Sequence, residues 1–150
     1  MTLSPDDINN HLNGMCKQLM YKRGMRNITL ATDWLHQFER KPAVYILFDK
    51  RKNCLVYVGE TASLRRRMRN LLQTSNHCIR RTIGKQKFSN VNGYKLAPRG
   101  KAFPLHIEKK INNYIEKHLK LSFLYVEIGR KELEELIVKK FNPELNKIGK

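Results

Sequence analysis

The middle of the chain carries the period-two hydrophobic pattern of a β-hairpin. Residues 43–48 alternate between two faces, as the residues of a half-buried strand do. A second apolar run occupies residues 55–58 and ends at Gly59, and the charged segment 49–54 between the runs favours a turn. The pattern therefore predicts two strands joined by a tight connection.

A helical pattern follows the hairpin. Thr61 or Ser63 can cap the helix N-terminus with a side-chain oxygen. Apolar residues then recur at helical spacing, at positions Leu64, Met68, Leu71 and Leu72. The remaining positions hold four arginines, namely Arg65, Arg66, Arg67 and Arg69. We expect an amphipathic helix with a basic outer face.

The first forty residues carry two further helical patterns. Ser4 and Pro5 are a typical helix start, and apolar residues recur at helical spacing over residues 8–20. A shorter helix is predicted over residues 32–40. We expect these helices to form an N-terminal extension, residues 1–41, that acts as a DNA-contacting arm, a dimer surface or a brace.

The C-terminal half predicts a helix, a strand and a second helix. A helical pattern begins at Pro104, strand formers fill residues 121–128, and another helical pattern covers residues 131–141. The fold class is therefore α+β, with a small, mainly antiparallel three-stranded sheet flanked by helices. The interval 73–100 is punctuated by Asn and Gly, and it predicts an irregular basic loop with a short helix over residues 79–84.

Length and composition limit the class of protein. A chain of 150 residues with 41% hydrophobic content suits one domain with a single core. No apolar run approaches the roughly 20 residues that span a membrane, and the N-terminus lacks the pattern of a secretory signal. The three cysteines have no metal-ligand spacing, which indicates ordinary thiols in a reducing, cytoplasmic location.

The net charge of +17 is the strongest bulk property of the chain, and it indicates a polyanionic partner, most often nucleic acid. Between Glu60 and Glu108 the chain has no acidic residue. A generally solvated basic face is the alternative explanation. We expect seven cations of this interval to contact DNA: Arg65, Arg66, Arg69, Arg80, Arg81, Lys85 and Lys87.

The hairpin and the helix after it resemble the GIY-YIG nuclease family. The first motif stands as Ala43-Val44-Tyr45, with Ala in place of Gly and Val in place of Ile, and the second stands as Tyr57-Val58-Gly59. The family's helix Arg follows the second motif's Gly by eight residues, which is Arg67 here. The segment 133–146 adds the family's Glu, Pro and Asn. The resemblance implies a nuclease domain over residues 42–150.

The resemblance also implies the roles of the site residues. Of Tyr45 and Tyr57, one acts as base or positions water and the other organises the site. Arg67 stabilises the transition state, and Asn146 orders the site by hydrogen bonding or merely ends the domain. The family often has a His four residues beyond the Arg, where this chain has Leu71. Two other histidines, His77 and His106, either substitute for it or are ordinary packing or surface residues.

A single Glu holds the divalent ion in this family, and helix geometry selects it among Glu132, Glu134 and Glu135. On the helical wheel Glu134 falls roughly 60° from the centre of the apolar face, while the other two fall roughly 140° and 160° away. The spacing to Pro143 and Asn146 agrees with the family. We therefore expect Glu134 to lie against the sheet and to bind Mg²⁺ or Mn²⁺.

These features predict a metal-dependent DNA endonuclease of restriction or mobile-element type. It would need no small-molecule cofactor and would act as a monomer or a homodimer, since two copies are required to cut both strands in one event. The alternative is a non-catalytic nucleic-acid-binding module that kept the fold. A ribosome-associated basic protein would explain the charge but not the motifs.

Overall fold

The computed structural model describes residues 4–146, and a four-stranded antiparallel sheet lies at its centre. The strands are β1 (Arg26–Asn27), β2 (Ala43–Asp49), β3 (Cys54–Thr61) and β4 (Leu119–Tyr125). Their spatial order is β1-β4-β2-β3, and every pairing is antiparallel. The predicted α+β class is confirmed. The sheet has one strand more than expected, because the two-residue β1 is too short to leave a periodic signal.

Five α-helices flank the sheet within the described residues. They are α1 (Pro5–Leu19), α2 (Leu64–Asn70), α3 (Cys78–Phe88), α4 (Leu105–His118) and α5 (Arg130–Phe141). Short 3-10 segments occupy Lys22–Gly24, Thr32–Gln37, Thr74–Asn76 and Glu144–Asn146. The helix predicted over 32–40 is one of these 3-10 segments, and α3 is longer than the short helix predicted inside the basic interval. Among the described helices, none is long and apolar enough to cross a bilayer.

Local hydrogen bonds explain where the helices begin. Ser4 Oγ accepts the Asp7 N–H at 3.1 Å, and the Ser4 N–H reaches the Asp7 carboxylate at 3.3 Å, which is a complete capping box. Ser63 caps α2 by accepting from the Arg66 N–H. The α2 register that this cap sets leaves Arg67 half-buried, on the side of the helix that faces the sheet.

The sheet separates two apolar clusters. On one face Tyr45 and Tyr57 pack with residues of α2, α3 and α4. On the other face Val44 and Ile46 pack with residues of α1 and α5. Tyr45 on β2 and Tyr57 on β3 therefore both point to the layer that contains α2 and α3, while α5 covers the opposite face.

The N-terminal extension contributes to both clusters. Leu12 and Leu19 of α1 pack in the cluster of Val44, whereas Trp34 and Phe38 pack on the face of Tyr45. In the described residues this extension is a brace for the sheet. The division of the chain at residue 41 stays a prediction.

Gly59 on β3 leaves room for the Tyr45 ring on the neighbouring strand β2. It pairs directly with Tyr45 across the hairpin. A Cβ added at Gly59 would lie 2.6 Å from Cζ and Oη of Tyr45, closer than any non-bonded contact allows. The Tyr45 ring therefore lies over bare backbone, and only Gly leaves room for it.

We expect Gly59→Ala to lower the free energy of unfolding by about 1–3 kcal/mol, because the new methyl group overpacks the Tyr45 ring. Gly14→Ala is the matched control, since a Cβ there meets nothing within 4 Å in the interior of α1. Removing a helical glycine should raise the same free energy by about 0.5–1 kcal/mol. Urea titrations followed by circular dichroism measure both changes, and a Gly59→Ala chain as stable as the parent would contradict the steric argument.

Candidate active site and adjoining basic cleft

The hydroxyl of Tyr45 lies at the centre of a buried hydrogen-bonded cluster. Arg67 Nε donates to Tyr45 Oη at 3.1 Å, and His77 Nε2 lies 3.1 Å from the same oxygen. Tyr45 and His77 are buried, and Arg67 is half-buried. Strand β2, helix α2 and the N-terminus of α3 therefore each supply one member of the cluster.

The hydrogen bonds of His77 assign its tautomer. Its Nδ1 accepts the Ile79 N–H at 3.2 Å as the N-cap of α3. A neutral imidazole carries one N–H, so that proton is on Nε2 and is donated to Tyr45 Oη. Burial lowers the pKa of His77 well below its ordinary value, and the charges of Arg67 and Arg80 lower it further. His77 is therefore neutral at physiological pH, and Tyr45 Oη accepts two N–H donors.

Tyr57 lies beside this cluster on the neighbouring strand. Its ring centroid is 5.9 Å from that of Tyr45 and 5.8 Å from that of His77. Burial raises the pKa of both tyrosines, and the positive charge of Arg67 opposes that rise without cancelling it. Both phenols are therefore neutral in this structure, because burial outweighs the charge of Arg67.

Asn146 fastens the outer edge of β3. Its Oδ1 accepts the Val58 N–H and its Nδ2 donates to the Val58 carbonyl, both at 2.8 Å. The side-chain amide thus takes the place of a neighbouring strand at a sheet edge, directly between Tyr57 and Gly59. Asn146 holds the strand that carries Tyr57, which corresponds to the ordering role weighed from the sequence.

Glu134 is half-buried on α5, while Glu132 and Glu135 are exposed, as the helical wheel predicts. One turn earlier on the same side of the helix, Arg130 pairs with Glu60 at the end of β3, with 3.1 Å between Nη1 and Oε2. Glu134 therefore lies on the side of α5 that faces β3. Because α5 covers the face opposite to the tyrosines, Glu134 and the Tyr57 ring lie on opposite faces of the sheet at β3.

Arg80 is not a surface cation, so its predicted contact with DNA phosphate is wrong. Its side chain is 1% exposed and forms a salt bridge with Glu108 at 2.8 Å. Its other nitrogens donate to Thr74 Oγ1 and to the Leu71 carbonyl, both at 3.2 Å. Arg80 joins α3 to α4 and to the end of α2, and its charge is neutralised inside the protein.

The other predicted DNA contacts differ in exposure. Arg65 is half-buried and donates its Nε to the Phe38 carbonyl at 2.6 Å, so it is partly committed to the fold rather than pointing to solvent as expected. Arg81 is half-buried as well. The remaining four are exposed: Arg66, Arg69, Lys85 and Lys87.

A basic cleft of about 390 Å³ adjoins the tyrosine cluster. Arg67 and His77 form part of its wall, and both bond the hydroxyl of Tyr45, which is itself fully buried behind them. The other lining residues are Ser75, Asn76, Cys78, Arg81, Arg99 and Gly100. The arrangement can bind an anion beside a phenol that already receives two hydrogen bonds.

Sequence reasoning left the role of His77 open and missed Arg99 as a site residue. His77 had one available signal, since the usual family position of the His is occupied by Leu71. Arg99 had none beyond its place in an interval without acidic residues. Both reach the cleft only because the segment after α2 folds back beside the hairpin.

The GIY-YIG catalytic domain family matches residues 41–148 of the chain. The matched segment covers more than two thirds of the protein and contains both motif tyrosines, Arg67, Glu134 and Asn146. The chain has no match among curated proteins. The family match and the residue pattern agree, and the protein belongs to the GIY-YIG catalytic domain family.

Proposed function

We propose that this protein is a metal-dependent DNA endonuclease of the kind that restriction systems or mobile elements use. The observation that supports it most is the Tyr45 hydroxyl, which accepts hydrogen bonds from Arg67 and His77 at the edge of a cationic cleft. A purely structural tyrosine does not need two buried N–H donors. A phenol that must release a proton does, because both donors stabilise the phenolate.

In this mechanism Tyr45 first loses its own proton to solvent, and the phenolate then accepts the proton of the attacking water and returns to the neutral phenol. The two N–H groups offset part of the burial that raises its pKa, and neutral His77 donates without adding a competing charge. Arg67 holds Tyr45 through Nε while it also lines the cleft. Its guanidinium can therefore stabilise the charge that develops on the phosphate. Tyr57 and Asn146 keep the geometry of β3.

Glu134 is the residue that would hold a divalent ion. Within residues 4–146 no three His, Cys, Asp or Glu side chains are grouped so that they could hold a metal unaided. Mg²⁺ suits such a site, because it commonly uses one or two carboxylates and completes its shell with water and substrate phosphate. When bound, the ion supplies an activated water and neutralises charge on the phosphate.

The competing function is a nucleic-acid-binding module without catalysis. It would keep the basic cleft and the fold, but it would have no use for two donors on the Tyr45 hydroxyl. A cleavage assay separates the two functions directly.

We expect relaxation or linearisation of a supercoiled plasmid to require Mg²⁺ or Mn²⁺ and to stop when chelator is added in excess. Agarose gels read both products, and a nicked product alone would indicate cutting by one active site at a time. Full cleavage in excess chelator would contradict the metal requirement. DNA binding without cleavage in either metal would favour the non-catalytic module.

Glu134→Ala should abolish cleavage and leave DNA binding and the circular dichroism spectrum unchanged, because the variant loses the ion but not the basic surface. Glu132→Ala and Glu135→Ala are the matched controls on the same helix, and we expect them to cleave within a few-fold of the parent. An active Glu134→Ala chain together with an inactive Glu135→Ala chain would show that the wrong glutamate was chosen.

Arg67→Lys should reduce the cleavage rate at least about tenfold, roughly 1.4 kcal/mol of barrier, because Lys keeps the charge but cannot serve Tyr45 and a phosphate with one planar group. Single-turnover cleavage measures the rate, and DNA affinity should change little. Arg66→Lys is the control, since Arg66 is exposed on the same helix. Equal losses in the two variants would refute the role given to Arg67. Arg65 is a poorer control, because it bonds the Phe38 carbonyl.

A further inference from the structure

We propose that a groove along the start of α3 binds the phosphate backbone of one DNA strand next to the scissile phosphate. This inference rests on the proposed function, since it names how the substrate is held beside the tyrosine site. The groove, the α3 groove below, lies between α3 and residues 96–100.

The α3 groove consists of two adjoining clefts. The first is the cleft of about 390 Å³ that Arg67 and His77 line, and the second measures about 340 Å³. They share three lining residues, Cys78, Arg81 and Arg99, so they form one continuous channel. The second cleft is completed by Thr82, Lys85, Leu96, Ala97 and Pro98.

The charges of the α3 groove all have one sign. Arg67 stands at the tyrosine end, Arg81 and Arg99 stand at the junction, and Lys85 stands in the second cleft. No acidic residue is among its lining residues. A row of uncompensated cations that begins at the catalytic arginine matches the repeating charge of a phosphodiester backbone.

Arg81 has a buried side-chain nitrogen at the wall of the groove. Its Nε is buried and has no hydrogen-bond partner within residues 4–146. A buried donor of a charged group is costly to leave unpaired. By contrast, each side-chain nitrogen of the adjacent Arg80 donates to a protein acceptor, namely Thr74, the Leu71 carbonyl or Glu108. A phosphate oxygen in the groove would supply for Arg81 what the protein itself supplies for Arg80.

The outer wall of the α3 groove is anchored in the core. Ala97 is buried, and the Tyr94 ring packs on Phe103 with 5.6 Å between centroids. His106 forms a hydrogen bond with the Asn92 carbonyl at 3.0 Å. The segment that carries Arg99 is therefore fixed by these contacts, which reduces the conformational entropy lost when DNA binds.

The size of the α3 groove selects one strand. Clefts of a few hundred Å³ hold ligands of small-molecule dimensions, so a backbone with its sugars can enter while a whole duplex cannot. The exposed Leu96 and Pro98 offer apolar contacts for the sugars. Since Arg67 and His77 belong both to the groove wall and to the Tyr45 cluster, the bound strand lies against the two residues that hold the Tyr45 hydroxyl.

The cysteines of the chain provide the first test. Cys78 lines the groove and is exposed, Cys54 is exposed at the start of β3, and Cys16 is buried. The full chain is alkylated with N-ethylmaleimide in excess chelator, with or without a saturating duplex oligonucleotide, and each cysteine is quantified by mass spectrometry. We expect DNA to slow the labelling of Cys78 several-fold and to leave Cys54 unchanged. Equal labelling of Cys78 with and without DNA would overturn the proposal.

A single strand of the same length is tested in the same labelling experiment. Protection of Cys78 by this single strand would show that one strand is enough to fill the groove.

The second test removes the cations. In Arg81→Gln/Arg99→Gln the slope of log affinity against log salt should fall by about two, one for each lost phosphate contact. Lys139→Gln/Lys140→Gln is the matched control with the same loss of charge, on exposed positions of α5, and it should leave the slope near that of the parent. Fluorescence anisotropy in chelator measures both slopes. Equal slopes for the two double variants would overturn the proposal. If Arg81→Gln/Arg99→Gln does not fold by circular dichroism, Cys78 protection in the parent chain decides.

The outcomes separate this proposal from the nuclease assignment. Plasmid cleavage with an unprotected Cys78 and equal salt slopes refutes the groove and leaves the nuclease standing. Protection of Cys78 and a reduced slope without cleavage in any metal keeps the groove and refutes the nuclease.

Discussion

The two hydrogen bonds that the Tyr45 hydroxyl accepts, from Arg67 and His77, depend on local features of three separate segments. The Tyr45 ring can reach these donors only because Gly59 leaves bare backbone beneath it. Arg67 can donate only because the Ser63 cap sets the register of α2. His77 can donate only because the N-cap bond to Ile79 leaves its proton on Nε2. A buried phenol with fewer donors would be harder to ionise, so each of these local features bears on the chemistry of one oxygen.

The Arg80–Glu108 salt bridge holds α3 in the position where His77 bonds Tyr45 and Arg81 lines the cleft. Arg80 ties α3 to α4 through Glu108, to Thr74 and to the end of α2 through the Leu71 carbonyl. A buried ion pair is weak support for stability, but breaking one by removing a partner is costly. Its main consequence here is positional. It leaves the neighbouring Arg81 at the wall of the cleft, with an unpaired buried Nε.

The candidate site residues lie on both faces of the sheet. The tyrosines, Arg67 and His77 belong to the face covered by α2, α3 and α4, whereas Glu134 comes from α5 on the other face. Between these two faces lies β3, an edge strand whose outer side is closed by the Asn146 amide. Because successive residues of a strand point to opposite faces, β3 can present side chains to both layers.

The sequence by itself determined the features that depend on neighbouring residues. These are the hairpin, the capped helices and the side of α5 that carries Glu134, because periodicity and capping act within a turn or a strand. Only the tertiary structure distinguished Arg80 from Arg81, since the partner of Arg80 is 28 positions away. Likewise, His77 meets Tyr45 over 32 positions and Asn146 meets Val58 over 88. Such pairs form only when the whole chain closes around the sheet, so no local pattern records them.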